Sequence, residues 1–187
     1  MKKIMVDMDN VITDACFIKR VNDFLGTDYK LEEQTDFILQ NLVPENQKDK
    51  YWEYMKTQSF YDLDCPLIDG AYEALEKINK KYELYITTAY LYTDSNPDIS
   101  GDNLKNKYYY LKEKLPFISP KQYIFIENKN LIDWDIAIDD RIHNLESAKT
   151  KYLYSTWHNQ DITDEELNEK GVIRVSSWAE IEKILEV

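Results

Sequence analysis

Only two of the 187 residues are cysteine, Cys16 and Cys65. Their spacing fits neither a zinc motif nor a disulfide framework, so both read as structural thiols. Positive charge is also scarce. Lys and Arg number 23 against 35 Asp and Glu, and the net charge of −12 repels a nucleic-acid backbone. A compact phosphorylated metabolite remains admissible, because a metal ion and one or two lysines invert the potential locally. No long apolar run occurs: the N-terminal one is broken by Asp7 and Asp9, which excludes a signal peptide or membrane span there. The expectation is a cytoplasmic protein with no membrane contact. Internal repeats and low-complexity tracts are lacking too. Tyrosine is plentiful by contrast, at 15 residues, and with a mean hydropathy of −0.60 it points to amphipathic surfaces.

What stands out is Asp7-Met8-Asp9 at the end of the apolar run Ile4-Met5-Val6. Residues two apart on a strand share a face. In an open α/β sheet, ligands sit beyond the carboxyl ends of the strands. Two carboxylates there repel each other unless a cation or a shared proton offsets them, and a hard ion such as Mg²⁺ is the simplest partner. A plain turn at Asp9-Asn10 is the competing explanation, since both residue types bond their own backbone and tolerate left-handed geometry.

Apolar spacing over residues 14–25 predicts a helix stopped by Gly26. Residues 30–57 read as two polar helices parted by Pro44, rich in aromatics, and look like a lid that ends near Asp64-Cys65-Pro66. Helix and strand then alternate: a helix over Ala71–Lys80, a strand at Leu84–Thr87, an irregular segment to Gly101 and a helix from Leu104 to Leu115. Strands follow at Tyr123–Ile126, Ile136–Ile138, Tyr152–Tyr154 and Val172–Val175, and Trp178–Leu185 closes as a helix. This alternation predicts an α/β fold with a doubly wound, mainly parallel, Rossmann-like sheet. The expected division is a core of 1–14 and 66–187, with 15–65 as a small helical cap inserted after the first strand–helix unit.

Asp139-Asp140 also follows an apolar strand, so a second acidic pair is expected at a carboxyl strand end, able to share one cation with Asp7 and Asp9. Capping of a following helix would explain Asp140 but not Asp139. Thr87-Thr88 ends a third strand and offers hydroxyls to an anion. Lys107 and Lys129 are candidates for phosphate oxygens, although a lysine is usually solvated. His143 and His158 are isolated and read as surface or capping residues, and Tyr108-Tyr109-Tyr110 as packing.

Taken in order, Asp7-Met-Asp9-Asn-Val-Ile-Thr13, Thr88, Lys107 and Asp139-Asp140 resemble the motifs of the haloacid-dehalogenase-like phosphatases. Phe60-Tyr61 before Pro66, Gly70-Ala71, Tyr85-Ile-Thr-Thr-Ala89, Lys107-Tyr108, Leu115-Pro-Phe-Ile118, Lys129 and Ile138-Asp-Asp140 are similar to the 5'(3')-deoxyribonucleotidase, or cytosolic type C nucleotidase, branch. The likeness spans most of the chain and is weakest in the lid. Two features depart from it. Asn10 stands where glycine is frequent, and about six extra residues around Pro97 to Asp102 lengthen the loop before Lys107.

The resemblance implies a Mg²⁺-dependent phosphomonoesterase that cleaves deoxynucleoside monophosphates. Asp7 would be the nucleophile forming an aspartyl-phosphate, and Asp9 the general acid and base. Mg²⁺ would be held by Asp7, Asp9 and Asp140 or Asp139, and the phosphate by Thr88, Lys107 and Asn10. Lys129, Ala89, Phe37 and Phe60, with the Trp52–Tyr54 segment, would meet the rest of the substrate. A sugar phosphate as substrate, or a non-hydrolytic phosphate-binding module, are the alternatives; a monomer or homodimer is expected.

Overall fold

The structure is a computed structural model that describes residues 1–14, 16–58, 61, 65–89 and 97–187, with Pro97 and Asp98 described by backbone alone. Six parallel strands form one sheet in the order β3-β2-β1-β4-β5-β6, where β1 is Lys3–Asp7, β2 Glu83–Thr88, β3 Tyr123–Phe125, β4 Trp134–Asp139, β5 Ala148–Tyr154 and β6 Val172–Val175. The order reverses beside β1, which opens a crevice at its carboxyl end. Side-chain alternation explains why both faces are covered. Ile4 and Val6 join one apolar cluster with Leu75, Ile78, Ile86 and Trp178, and Met5 joins another with Trp134, Ala137, Leu153 and Val172. Val6 pairs with both Ile86 and Ile138, so Asp7 and Asp139 follow at one level of the sheet.

The helices are α1 Phe17–Leu25, α2 Lys48–Lys56, α3 Ala71–Lys81, α4 Pro97–Lys114, α5 Asp164–Glu169 and α6 Trp178–Leu185. Gly26 ends α1 in the left-handed conformation, as its position after the apolar spacing predicts. Between β1 and α3, Val43, Tyr51 and Met55 join the same apolar cluster as the sheet. No helix among the described residues is long and apolar enough to cross a membrane.

Three local expectations are corrected. Residues 30–57 hold one α-helix, α2, preceded by short 3-10 turns at Leu31–Glu33, Leu39–Leu42 and Glu45–Gln47, not two polar helices. Side chains compete for the backbone here: Asp36 accepts from Ile38 N–H at 2.8 Å, and Asn22 from Tyr29 N–H at 2.9 Å. Next, α4 starts at Pro97 and runs through Gly101, where an irregular segment was expected. Proline suits a first helical turn, and one glycine costs only about 1 kcal/mol against alanine. The buried stripe of α4 is Ile99, Asn103, Lys107, Tyr110 and Leu111; two polar members hid its periodicity. Finally, α5 went unpredicted, although Thr163 and Glu166 form a reciprocal capping box visible as Thr-Asp-Glu-Glu.

Candidate active site

The loop after β1 is built by its own backbone. Asn10 adopts φ 61, and its N–H donates to Thr13 O at 2.7 Å. Asparagine is the non-glycine side chain best suited to that region, which is how the turn forms without glycine. Ile68 N–H donates to Ile12 O at 2.8 Å, and the Trp178 indole donates to Val11 O at 2.9 Å. The loop is thereby anchored to the segment before α3 and to α6.

Asp7 is buried at the strand end. Its Oδ1 accepts from Met8 N–H at 2.7 Å and faces Lys129 Nζ at 2.6 Å, while Oδ2 has no donor among the described residues. Burial drives its pKa well above the usual carboxylate value; Lys129 opposes this, and Asp139, Asp140 and Asp9 add to it. Lys129, from the 3-10 turn after β3, also meets Asp139 Oδ2 at 2.6 Å. Burial works against its charge, but the two carboxylates outweigh burial and hold it firmly protonated. Asp139 is saturated, since Arg141 N–H and Asn144 Nδ2 donate to Oδ1 at 2.9 and 3.0 Å. Asp140 is not. Its Oδ2 takes Asn10 Nδ2 at 3.0 Å and His158 Nε2 at 2.8 Å, and no described donor reaches Oδ1. Burial raises the Asp140 pKa, His158 and Asn10 oppose that, and Asp139 reinforces it.

Asp9 belongs to a separate network. Tyr61 OH donates to its Oδ1 at 2.5 Å, and Lys107 Nζ to its Oδ2 at 2.7 Å. Lys107 also donates to Thr88 Oγ1 at 2.5 Å and to Ala89 O at 2.9 Å, so its three hydrogens are all engaged. A phosphate oxygen reaching this ammonium therefore has to displace one of these partners.

These groups border a cavity of about 580 Å³, a size suited to a small metabolite. Asp7, Asp9, Asn10, Ala89, Lys129 and Asp140 line its floor, and Phe37, Trp52, Tyr51 and Trp157 its upper wall. The structure thus brings together Asp7, Asp9, Asn10, Thr88, Lys107, Lys129, Asp139 and Asp140. Phe37 stands at the rim, its ring 4.7 Å from the Arg141 guanidinium and 4.9 Å from the His158 ring. Phe60 lies outside the described residues. Lys129, expected to face the substrate, lines the cavity but is held as an ion pair between Asp7 and Asp139.

Two readings need correction. His158 is no surface residue: its side chain is 7% exposed and bonded to Asp140. Lys107 lies in the middle of α4 rather than near a helix start. Tyr61, Asn144, Gln40 and Asn41 were missed. Tyr61 directly follows Phe60 in the matching motif, the one available signal; the others carry none.

Asp7, Asp139 and Asp140 each bring a carboxylate oxygen within 4.8 Å of the others, so the cluster can hold a cation. All its donors are oxygens, which suits a hard ion, and Asp7 and Asp140 each keep one oxygen without a described donor.

Known proteins share this sequence pattern and fold. Residues 1–187 match the family described as 5' nucleotidase, deoxy (pyrimidine), cytosolic type C protein. The chain is 32% identical over 190 residues to the 5'(3')-deoxyribonucleotidase of Bacillus subtilis strain 168, with 99% of each covered. It is 28% identical to a putative 5'(3')-deoxyribonucleotidase of Staphylococcus epidermidis, covering 96% of this chain and 93% of that one. In fold it is similar to a conserved haloacid dehalogenase-like protein of unknown function from Agrobacterium tumefaciens, at TM-score 0.60 and 15% identity. A HAD hydrolase, family IA, variant 3, from Entamoeba histolytica gives TM-score 0.53 at 16% identity. Each covers 100% of this chain and 98% of its own. With a match running from the first residue to the last, the chain belongs to the cytosolic type C 5'-nucleotidase family, whose members are phosphoric monoester hydrolases on a haloacid-dehalogenase-like fold.

Proposed function

We propose that the protein hydrolyses deoxynucleoside monophosphates to nucleoside and phosphate through an aspartyl-phosphate on Asp7, with Mg²⁺ as cofactor. The observation that carries this is the pairing of a donor-free Asp7 Oδ2 with a separately held second carboxylate, Asp9, on one cavity floor. The two acids have different work to do. Asp7 Oδ2 attacks phosphorus, and splitting the reaction at a covalent intermediate lowers the barrier of each half. Asp9 gives a proton to the departing nucleoside oxygen, then takes one from the water that cleaves the acyl phosphate. A pure phosphoacceptor has no use for this second acid.

Asp7 and Asp140, with the Asp9 carbonyl, would hold Mg²⁺, which would supply positive charge against the phosphate oxygens. Thr88, Lys107 and the amides after Asp7 position the remaining oxygens. Asn10 and His158 occupy Asp140 Oδ2 and would leave its other oxygen for the cation. Residues 15–65 act as the cap over the nucleoside, with Phe37 and Trp52 offering flat apolar surface and Gln40 and Asn41 offering amides to a base. Cytoplasmic work on a soluble nucleotide pool agrees with the lack of a spanning helix among the described residues.

Phosphate release from a panel of deoxynucleoside monophosphates, ribonucleotides and sugar phosphates in Mg²⁺ tests this. Deoxynucleotides should be cleaved with the highest kcat/KM. Equal or better cleavage of sugar phosphates would overturn the substrate, and no release from any of them would overturn the reaction.

A further inference from the structure

Asp14, Cys16 and Cys65 take no part in the proposed hydrolysis, yet the fold gathers them. One oxygen of Asp14 and the two sulfurs lie within 4.8 Å of one another, and the thiols are in hydrogen-bonding contact. Asp14 Oδ1 accepts from the Cys16 N–H at 2.8 Å and from its thiol at 3.2 Å. Cys16 precedes α1 at φ 56, a left-handed conformation that costs a non-glycine residue about 1–2 kcal/mol. The surroundings fix the cluster through bonds that use none of its three side chains. Thr13 bridges to Leu67 and donates to Pro66 O at 2.9 Å, and Tyr110 OH donates to the Cys65 carbonyl at 2.9 Å.

We propose that Asp14, Cys16 and Cys65 form a second cation site, selective for a thiophilic divalent ion such as Zn²⁺. A tetrahedral zinc centre has Zn–S of about 2.3 Å and Zn–O of about 2.0–2.2 Å, which sets its ligand atoms roughly 3.5–3.8 Å apart. That spacing lies within the observed upper limit on the separation of the three ligand atoms. Binding replaces two thiol protons, which go to solvent, and forms two Zn–S bonds and one Zn–O bond. A fourth position stays open to water. The neighbouring carboxylate favours a cation here over any anionic ligand. Two thiolates and one carboxylate prefer a softer ion than the all-oxygen cluster of Asp7 and Asp140, so the two sites sort metals by donor chemistry. Zn²⁺ here ties the chain where it enters α1 to the point where it returns toward the sheet, and so restrains the stretch that carries Phe37 and Tyr61. Residues this far apart in sequence show no zinc spacing, which is why sequence reading assigns them as plain thiols.

Cobalt serves as the probe. The full chain, reduced and stripped with chelator, is saturated with Mg²⁺ and titrated with Co²⁺ under anaerobic conditions. One equivalent should produce thiolate-to-cobalt charge-transfer absorption in the near ultraviolet, and Zn²⁺ should bleach it while protecting both thiols from alkylation. Asp7→Asn should keep the band, and Cys65→Ser should lose it. Should Cys65→Ser fail to fold, Asp14→Asn, with its near-ultraviolet circular dichroism unchanged, should weaken Zn²⁺ in competition with a chromophoric chelator by at least about tenfold. Absence of the band in the folded wild type, its persistence in the Cys16→Ser/Cys65→Ser double variant, or undiminished Zn²⁺ affinity in Asp14→Asn overturns the site. So does an intact mass two hydrogens low in anaerobically handled protein, which means that the thiols are joined to each other.

Discussion

Asp7 and Asp9 stand two residues apart, each facing a lysine, but the two pairs are built from different parts of the molecule. Asp7 is held by Lys129 of the 3-10 turn after β3, itself clamped by Asp139 of β4, and by the Met8 N–H just past β1. Asp9 is held by Tyr61, from the stretch between α2 and α3, by Lys107 of α4 and, at 3.3 Å, by Thr88 at the end of β2. Its side chain is 17% exposed against 8% for Asp7. Asp7, the nucleophile of the proposed reaction, is thus framed by the sheet and the turn after β3. Asp9, its proposed acid and base, is tied as well to residue 61 outside the sheet. In the proposed reaction, closure of the cap over a nucleoside would also adjust the aim of Asp9 while leaving Asp7 untouched.

Substitutions can separate the two halves. Asp7→Asn removes the attacking oxygen and should lower kcat by about 10³-fold or more with the fold intact, since losing a nucleophile leaves only positioning and electrostatics. Steady-state phosphate release with circular dichroism checks this, and residual activity within tenfold of wild type contradicts the framing. Tyr61→Phe should act more gently: loss of one hydrogen bond to a carboxylate is worth about 1.5–3 kcal/mol at most. The expected change is a fall in kcat of up to about 100-fold, with KM within a few-fold, and an unchanged kcat would detach Asp9 from the covering stretch.

The smallest effect concerns stability. In chelator, the raised pKa of Asp7 means that its ionised form costs folding free energy. Protonation relieves that cost, so the contribution is most favourable below the ordinary carboxylate pKa and is lost as pH rises through the elevated one. Asp7→Asn should therefore resist urea better than wild type at neutral pH, by about 1–2 kcal/mol. That advantage should shrink as pH falls toward the usual carboxylate range. A constant difference across pH would mean that the Asp7–Lys129 pair fully offsets burial.

The sheet was legible because its strands are short apolar runs, and β1, β2 and β4 end in a carboxylate or threonine. Asp7, Asp9, Thr88 and the Asp139-Asp140 pair were legible for the same reason, as polar groups in places where a buried strand stops. The stretch around α2 was not, since side-chain bonds from Asn22 and Asp36 hold turns that hydrophobic spacing does not encode. α4 was misjudged because Asn103 and Lys107 sit in its buried stripe, polar residues in positions that apolar periodicity reserves for the core. His158 was beyond reach for a different reason: its partner Asp140 is distant in sequence, and an isolated histidine carries no periodic signal.

The indole of Trp178 reaching the Val11 carbonyl has a consequence for how the protein matures. The loop after β1 and this anchor in α6 stand 167 residues apart in the chain. A chain emerging from the ribosome can complete β1 early, yet it cannot fasten the loop until residue 178 has cleared the exit tunnel.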